Sequence, residues 1–431
     1  MMSNLQLRFF DTPKQENDSD DWTFIGASTR ELTHCYHDYP ARMIPQVTGK
    51  LLDIFGVSAK YLFDPYCGSG TSLVEANIRG INAIGTDLNP LARLISVAKT
   101  SRPKIELLEK QISDFNKMIL NINLYKFKDV REIYGISHLD FWFKPTVLDQ
   151  LFKIKEYIQD INNKEIKLFF QIAFSETVRE SSNSRNGEFK LYRYSEEKLA
   201  KFNPDVYGIM LTKLKRNFYG YIKYKEIIDN LNNPPFTHVY DFNTVESIPE
   251  NCIPPESIDI VVTSPPYGDS STTVAYGQYS RFSAAWLDLE EPDKIDRKLM
   301  GGKSLKEIPL FPSEALNSAI EKIRESDEKR GREIASFYVD LLKSISNVAK
   351  VIKKNGYACY VVGNRKVKGV VLPTNIVITD FFENQGFEHI NTFVRSIPNK
   401  RMPSKNSPSN SAGVLDNTMT TEYIVIMRNC N

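Results

Sequence analysis

Hydrophobic and polar positions follow two regimes along the chain. The apolar run 61–64 (YLFD) breaks at Pro65, Gly68 and Gly70, and 71–79 (TSLVEANIR) then repeats apolar positions at helical spacing up to Gly80, a residue suited to a helix C-cap. A second apolar run, 82–87 (NAIGTD), precedes Asn89-Pro90, a helix start. Strand, glycine turn, helix and strand within about thirty residues predict a βαβ unit. Upstream, Ile44, Val47, Leu51, Leu52 and Phe55 recur every three or four residues, which predicts a helix in the second half of 33–56. Between 101 and 235 the strand signal disappears. Stretches such as VLDQLFKIKEYIQDI and EIKLFFQIAFSETVRE have helical period, broken at 181–195 by SSNSRNGEFKLYRYS, and Asn232-Asn233-Pro234-Pro235 closes the segment. Strand patterns return at 237–242, 257–264, 356–364, 389–397 and 422–429, while 269–333 reads as a long polar loop region in which RESDEKRGRE is a solvated helix. The expected layout is a polar arm (1–28), a first sheet segment (29–100), a helical insertion (101–235) and a second sheet segment (236–431). Strands alternating with helices predict an α/β doubly wound, mostly parallel sheet.

Composition narrows this picture by exclusion. With 41% hydrophobic and 25% charged residues the chain matches an ordinary soluble protein, and 55 Lys+Arg against 53 Asp+Glu leave +2, so any nucleic-acid surface must be local. The five cysteines are scattered and never form CxxC, which argues against a disulfide framework or zinc knuckle and for a reducing compartment. No run of about 18 apolar residues suggests a membrane span, and the acidic N-terminus resembles neither a signal nor a transit peptide; a cytoplasmic location is expected. His34, Cys35 and His37 match no standard metal spacing, and no metal is expected.

Two elements carry candidate chemistry. The turn DPYCGSGT (64–71) lies between a strand and a helix, where glycines let a backbone approach a ligand at a helix N-terminus. It lacks the GKS/T of a phosphate loop and does not complete GxGxxG. Asp87, 17 residues after Gly70, sits where an acid reads ribose hydroxyls in nucleotide folds, or where one caps the next helix. The second element is TSPPY (263–267). Neither proline can donate to a ladder, so the chain must leave the sheet after IDIVV. Ser264, the Pro265 carbonyl, Pro266 and Tyr267 thereby come together: two acceptors for the hydrogens of an exocyclic amino group, and a ring to stack on the base that bears it. Basic residues beside tyrosines or amides, Arg185, Lys190 and Arg193 in one segment and Lys400, Arg401 and Lys405 in another, could contact phosphates. A nicotinamide dehydrogenase would explain the glycine turn and Asp87 but not SPPY.

Taken together, DPYCGSGT, GTDLNP and TSPPYG resemble the S-adenosylmethionine-dependent DNA amino-methyltransferases. The resemblance extends to HDYPARMIPQ, VYDF, GDSSTTVAYGQYSRFSAAWL, GYACYVVGN and the segment from KRMPSKNSPSN to EYIVIM, most of the chain outside the insertion. It implies a class I methyltransferase-like sheet of seven strands and S-adenosylmethionine as cofactor. Asp64, Gly68, Gly70 and Thr71 would wrap the methionine portion with Tyr66 nearby; Asp87 and Leu88 would flank the ribose; Asp241 would hold the adenine amino group; Tyr39, Pro40, Ala41 and Arg42 would close the pocket. The serine form SPPY looks most like enzymes that methylate cytosine N4 in double-stranded DNA, with adenine N6 the second choice, an RNA amino group a third, and a catalytically silent nucleic-acid-binding protein the rival of another class. The implied setting is a restriction-modification system with a separate cognate endonuclease, and the helical insertion (101–235) is expected to serve DNA recognition or grip. Cys67 is not in the Pro-Cys dipeptide that carbon-5 methylation would suggest.

Overall fold

The apolar runs assemble around one seven-stranded sheet. The computed structural model describes residues 21–127, 132–185, 190–268, 275–290, 294–302, 305–397, 405–406, 416–417 and 420–431. Its strands are β1 (Tyr61–Asp64), β2 (Asn82–Thr86), β3 (Thr237–Tyr240), β4 (Ile258–Thr263), β5 (Ile352–Val362), β6 (Phe387–Ser396) and β7 (Thr421–Asn429). They lie in the order β3-β2-β1-β4-β5-β7-β6, with β7 antiparallel to both neighbours and the other pairs parallel. Both faces are covered, and the side-chain alternation shows it: Ile260, Val262, Cys359, Val361, Ile424 and Ile426 enter one core, while Val261, Ala358, Tyr360, Val362, Val425 and Met427 enter the other. Period two on a doubly covered sheet reads as a continuous apolar run, which is how these strands look in the sequence.

Helix α1 (Pro45–Phe55) and α2 (Thr71–Asn77) pack on the first of these faces, and α3 (Pro90–Thr100) follows β2. Gly70 opens α2 in the left-handed region (φ +73°), and a Cβ there would stand 2.8 Å from Ser96 Oγ and 3.0 Å from Ser96 Cα. That glycine therefore permits close approach of α3. Between β2 and β3 run α4 (Ile105–Leu120), α5 (Pro145–Gln159), α6 (Lys164–Ser181) and α7 (Val206–Asp229). Their apolar faces join Leu91, Ala92 and Ile95 of α3 in a single core.

The polar-loop reading of 269–333 needs correction. Helices α8 (Tyr276–Trp286), α9 (Glu314–Ser326) and α10 (Glu328–Val351) occupy much of it. In α8 the polar residues Ser280 and Ser283 are buried together with Tyr279, Phe282 and Trp286, so burial without an amphipathic contrast hid the helix. In α9 the interleaved charges masked Leu316, Ile320 and Ile323, which share one buried face. RESDEKRGRE spans the junction, where Asp327 caps α10 by accepting from Arg330 N at 3.0 Å. A last helix, α11 (Thr374–Glu383), packs near β6 and β7. Among the described residues no helix is long and apolar enough to cross a membrane.

Candidate active site

The chain order reverses beside β1: β2 and β3 extend the sheet to one side, β4 and β5 to the other. A crevice opens at the carboxyl ends of strands at such a switch point, and here it is a cleft of about 960 Å³, its open mouth included. Asp64 ends β1 and Ser264 follows the neighbouring β4, and both line this cleft.

Asp64 is buried and accepts from Thr263 Oγ1 at 2.6 Å, from Tyr66 N at 3.1 Å and from Ser72 Oγ. It therefore ties β1 to α2 and β4. Burial raises its carboxyl to about 6, against the opposing effect of these hydrogen bonds. Asp87 is half-buried; its two oxygens accept from Gly68 N at 2.9 Å and Asn89 N at 2.8 Å, and burial raises its carboxyl too. Asn89, not Asp87, is the α3 cap, accepting from Leu91 N. Among the described residues neither carboxylate forms an ion pair, so the cleft presents two acidic groups to whatever fills it. Ser69 Oγ lines the same cleft, buried and without a hydrogen-bond partner.

The wall over the glycine turn is Tyr39, Pro40, Ala41 and Arg42. Asn89 Nδ2 donates to both Tyr39 Oη and Ser280 Oγ at 2.8 Å, and the Tyr39 ring stacks on Tyr276 with centroids 5.9 Å apart. Arg42 braces the preceding turn by donating to the carbonyls of His37 (2.8 Å) and His34 (3.2 Å). His34 itself pairs with Glu75 at 2.9 Å. On the floor, Tyr66 Oη donates to Ser344 Oγ, which also meets Thr244 Oγ1 at 2.7 Å.

Most of the residues expected at a site meet here: Tyr39, Pro40, Ala41, Arg42, Asp64, Tyr66, Gly68, Thr71, Asp87, Leu88, Ser264 and Pro266 all line the cleft. Gly70 and Pro265 are not among its lining residues, and Tyr267 touches Ser264 with its hydroxyl at 3.3 Å. Asp241 does not join them: its side chain is exposed, and Phe242, Asn243 and Thr244 line the cleft instead. Strand β3 ends at Tyr240, so the chain has already turned at Asp241 and it is the next residues that face inward. Ser69, Asn243 and Tyr276 carried no separate signal, although Ser69 lies inside the glycine turn. Cys67 is buried, and its thiol is pushed well above the ordinary range by burial and by Asp87 and Asp64, which disfavours the thiolate.

The basic segments divide. Arg193 is already engaged: it donates to Phe141 O at 3.0 Å, lies over the Phe141 ring at 4.5 Å and pairs with Glu196. Arg185 and Lys190 are exposed. Leu191 N donates to Gln278 Oε1 of α8 at 3.4 Å, which places this turn beside the helix that begins at the cleft. Lys400 and Arg401 lie outside the described residues, and the backbone of Lys405 pairs with Asn417 in a two-residue ribbon.

The chain is 42% identical over 437 residues to the type II methyltransferase M.MvaI of Kocuria varians, covering 96% of this chain and 95% of that one. It is 20% identical over 440 residues to the type II methyltransferase M.BsoBI of Geobacillus stearothermophilus, covering 85% and 81%. Among solved structures, the rRNA methyltransferase AviRa of Streptomyces viridochromogenes aligns over 97% of this chain and 94% of its own, at 9% identity and a TM-score of 0.33. No protein-family model matches the chain.

Proposed function

The chain belongs to the S-adenosylmethionine-dependent type II DNA methyltransferases, and from that premise we propose that it methylates the exocyclic N4 of a cytosine flipped out of double-stranded DNA, as the modification half of a restriction-modification pair. The observation that carries the reading is Ser264 at the carboxyl end of β4, in the same cleft as Asp64 and Asp87.

The cleft suits the cofactor. Its two carboxylates complement a molecule with an ammonium group, a sulfonium and ribose hydroxyls, and the orphaned Ser69 hydroxyl is a further polar contact awaiting a partner. Bound there, S-adenosylmethionine supplies a methyl group on a cationic sulfur. Asp64 would hold the ammonium and Asp87 the ribose; Asn243 takes the place that Asp241 was expected to fill. The chain's own task is to present a weak nucleophile, because the lone pair of cytosine N4 is delocalised into its ring. Extruding the base costs a few kcal/mol, which stacking on Tyr267 offsets by about 1–3 kcal/mol. Ser264 Oγ and the Pro265 carbonyl accept the two N4 hydrogens, draw the nitrogen towards tetrahedral geometry and free its lone pair. Orientation then supplies most of the acceleration. Arg185 and Lys190, both exposed, grip the DNA backbone, and Lys400, Arg401 and Lys405 are assigned the same role on their sequence alone, while Arg193 shapes its own turn.

Nucleoside mass spectrometry on DNA from cells expressing the protein tests this directly, beside an Asp64→Ala/Ser264→Ala control. N4-methylcytosine dependent on the intact protein is the expected result. N6-methyladenine would move the assignment to the other amino base, and neither mark would sink the DNA reading.

The Asp64 carboxyl adds a pH signature. Its raised value, about 6, means that the fold holds this proton more tightly than the unfolded chain, whose carboxyl titrates near 3.8. The group's contribution to the stability of the free protein is therefore full below pH 3.8 and lost as pH rises through about 6. Cofactor affinity runs the other way, since only the carboxylate pairs with an ammonium. Calorimetric titrations should show affinity flat above pH 7 and falling up to about tenfold per unit below pH 6.

A further inference from the structure

The last strand reaches the catalytic pocket through a side chain outside the glycine turn and TSPPY. Glu422 of β7 lies opposite Arg395 of β6 in the antiparallel register, and its Oε2 is paired with that guanidinium. The pair is shielded, with side-chain exposures of 14% for Glu422 and 8% for Arg395, and Arg395 Nε is anchored on Trp22 O at 2.9 Å. The other carboxylate oxygen, Oε1, accepts from Tyr267 Oη at 2.9 Å, and Ser264 Oγ donates to Tyr267 Oη at 3.3 Å. Burial and the neighbouring Glu422 charge push the phenol well above its usual range, so the proton stays on Tyr267.

Both hydroxyls thus donate towards the carboxylate. A hydroxyl has one hydrogen and two lone pairs. With the Ser264 hydrogen directed at Tyr267, only lone pairs face the cleft. An amino group offers hydrogens to such an acceptor, whereas the keto oxygens of thymine and guanine offer none.

Resting on the reading that Ser264 meets the target amino group, we propose that Glu422 is a positioning residue that fixes the direction of the Ser264–Tyr267 hydrogen-bond chain and so makes Ser264 an acceptor selective for amino-bearing bases. Arg395 holds the carboxylate in register for that task, and the chain polarises the serine oxygen as well as orienting it.

The test is a set of variants measured under single-turnover conditions, with cofactor affinity and melting temperature recorded for each. In Glu422→Gln the amide keeps its oxygen towards Arg395 and turns its NH₂ group towards Tyr267. The phenol must then accept from the amide and donate to Ser264, whose hydrogen swings into the cleft against the amino hydrogens. The methyl-transfer rate should fall at least about tenfold, with the dissociation constants for S-adenosylmethionine and DNA within about twofold of the parent. Adding Ser264→Ala removes the misdirected hydrogen, so the double variant should be no slower than Ser264→Ala alone. Independent structural roles would instead multiply the two losses. Tyr267→Phe keeps the ring and the Glu422–Arg395 pair while freeing the serine rotor, and should cost less than Glu422→Gln; if Glu422→Gln fails to fold, coupling between Tyr267→Phe and Ser264→Ala decides the matter in the same way. Multiplicative losses in an enzyme whose parent methylates DNA would overturn this inference alone. A parent that methylates no base amino group would overturn the functional reading, and the inference with it.

Discussion

Asp64→Ala is expected to weaken S-adenosylmethionine binding by roughly 100-fold or more, the largest single effect on the cofactor site. Removing one partner of a buried, hydrogen-bonded charge pair costs about 2–5 kcal/mol, and here the lost partner is the carboxylate assigned to the ammonium. The substitution also strands the hydroxyls of Ser72 and Thr263, which donate to Asp64 from α2 and from the end of β4. A fall in melting temperature should accompany the loss of affinity. Asp64→Asn separates the two: it keeps an acceptor for the hydroxyls, so stability should recover more than cofactor affinity does. Isothermal titration and thermal melts on both variants provide the check, and unchanged affinity in Asp64→Ala would remove this residue from the cofactor site.

Tyr267→Ala should leave cofactor affinity within about twofold and lower methyl transfer by roughly 100-fold. Loss of a base-stacking ring accounts for about 1–3 kcal/mol, and the truncation also releases Ser264 from its hydroxyl partner. Tyr267 hydrogen-bonds to Ser264 and Glu422 and not to Asp64 or Asp87, which is why the deficit should fall on the chemical step. Asp87→Ala should show the opposite division, because its carboxylate organises Gly68 and Asn89 around the cofactor side of the cleft. Equal losses of cofactor affinity in the two variants would refute this separation of labour.

The legible parts of the protein are those in which local chemistry and tertiary role coincide. Tyr61–Asp64 is a strand that ends in a proline and glycines, and it folds as that strand with the cleft directly after it. TSPPY announces its own exit from the sheet because proline cannot extend a central strand. What stayed hidden depends on partners far away in sequence. Helix α8 buries its serines as well as its aromatics, so it lacks the amphipathic contrast that betrays a helix. Asp241 is assigned through the resemblance at VYDF, yet β3 stops at Tyr240 and Asp241 is exposed and absent from the cleft lining. Arg193 read as a free cation; the distant Phe141, with the nearby Glu196, takes it up. Glu422 lies in EYIVIM but has no role of its own there, since its contacts arise only when β7 is laid between β5 and β6.

The core shared by the inserted helices has a consequence for how this segment can be exchanged. Phe169, Phe170 and Phe174 of α6 and Met210 and Leu214 of α7 pack in one continuous cluster with Tyr39 of the cleft wall, Leu91 and Ile95 of α3 and Trp286 of α8. No seam divides the segment between β2 and β3 from the catalytic body. Exchanging it wholesale with that of a relative would cut through a hydrophobic interior, so a cassette swap should yield insoluble chimeras. Substitutions in its solvent-facing turns, by contrast, leave this interior intact.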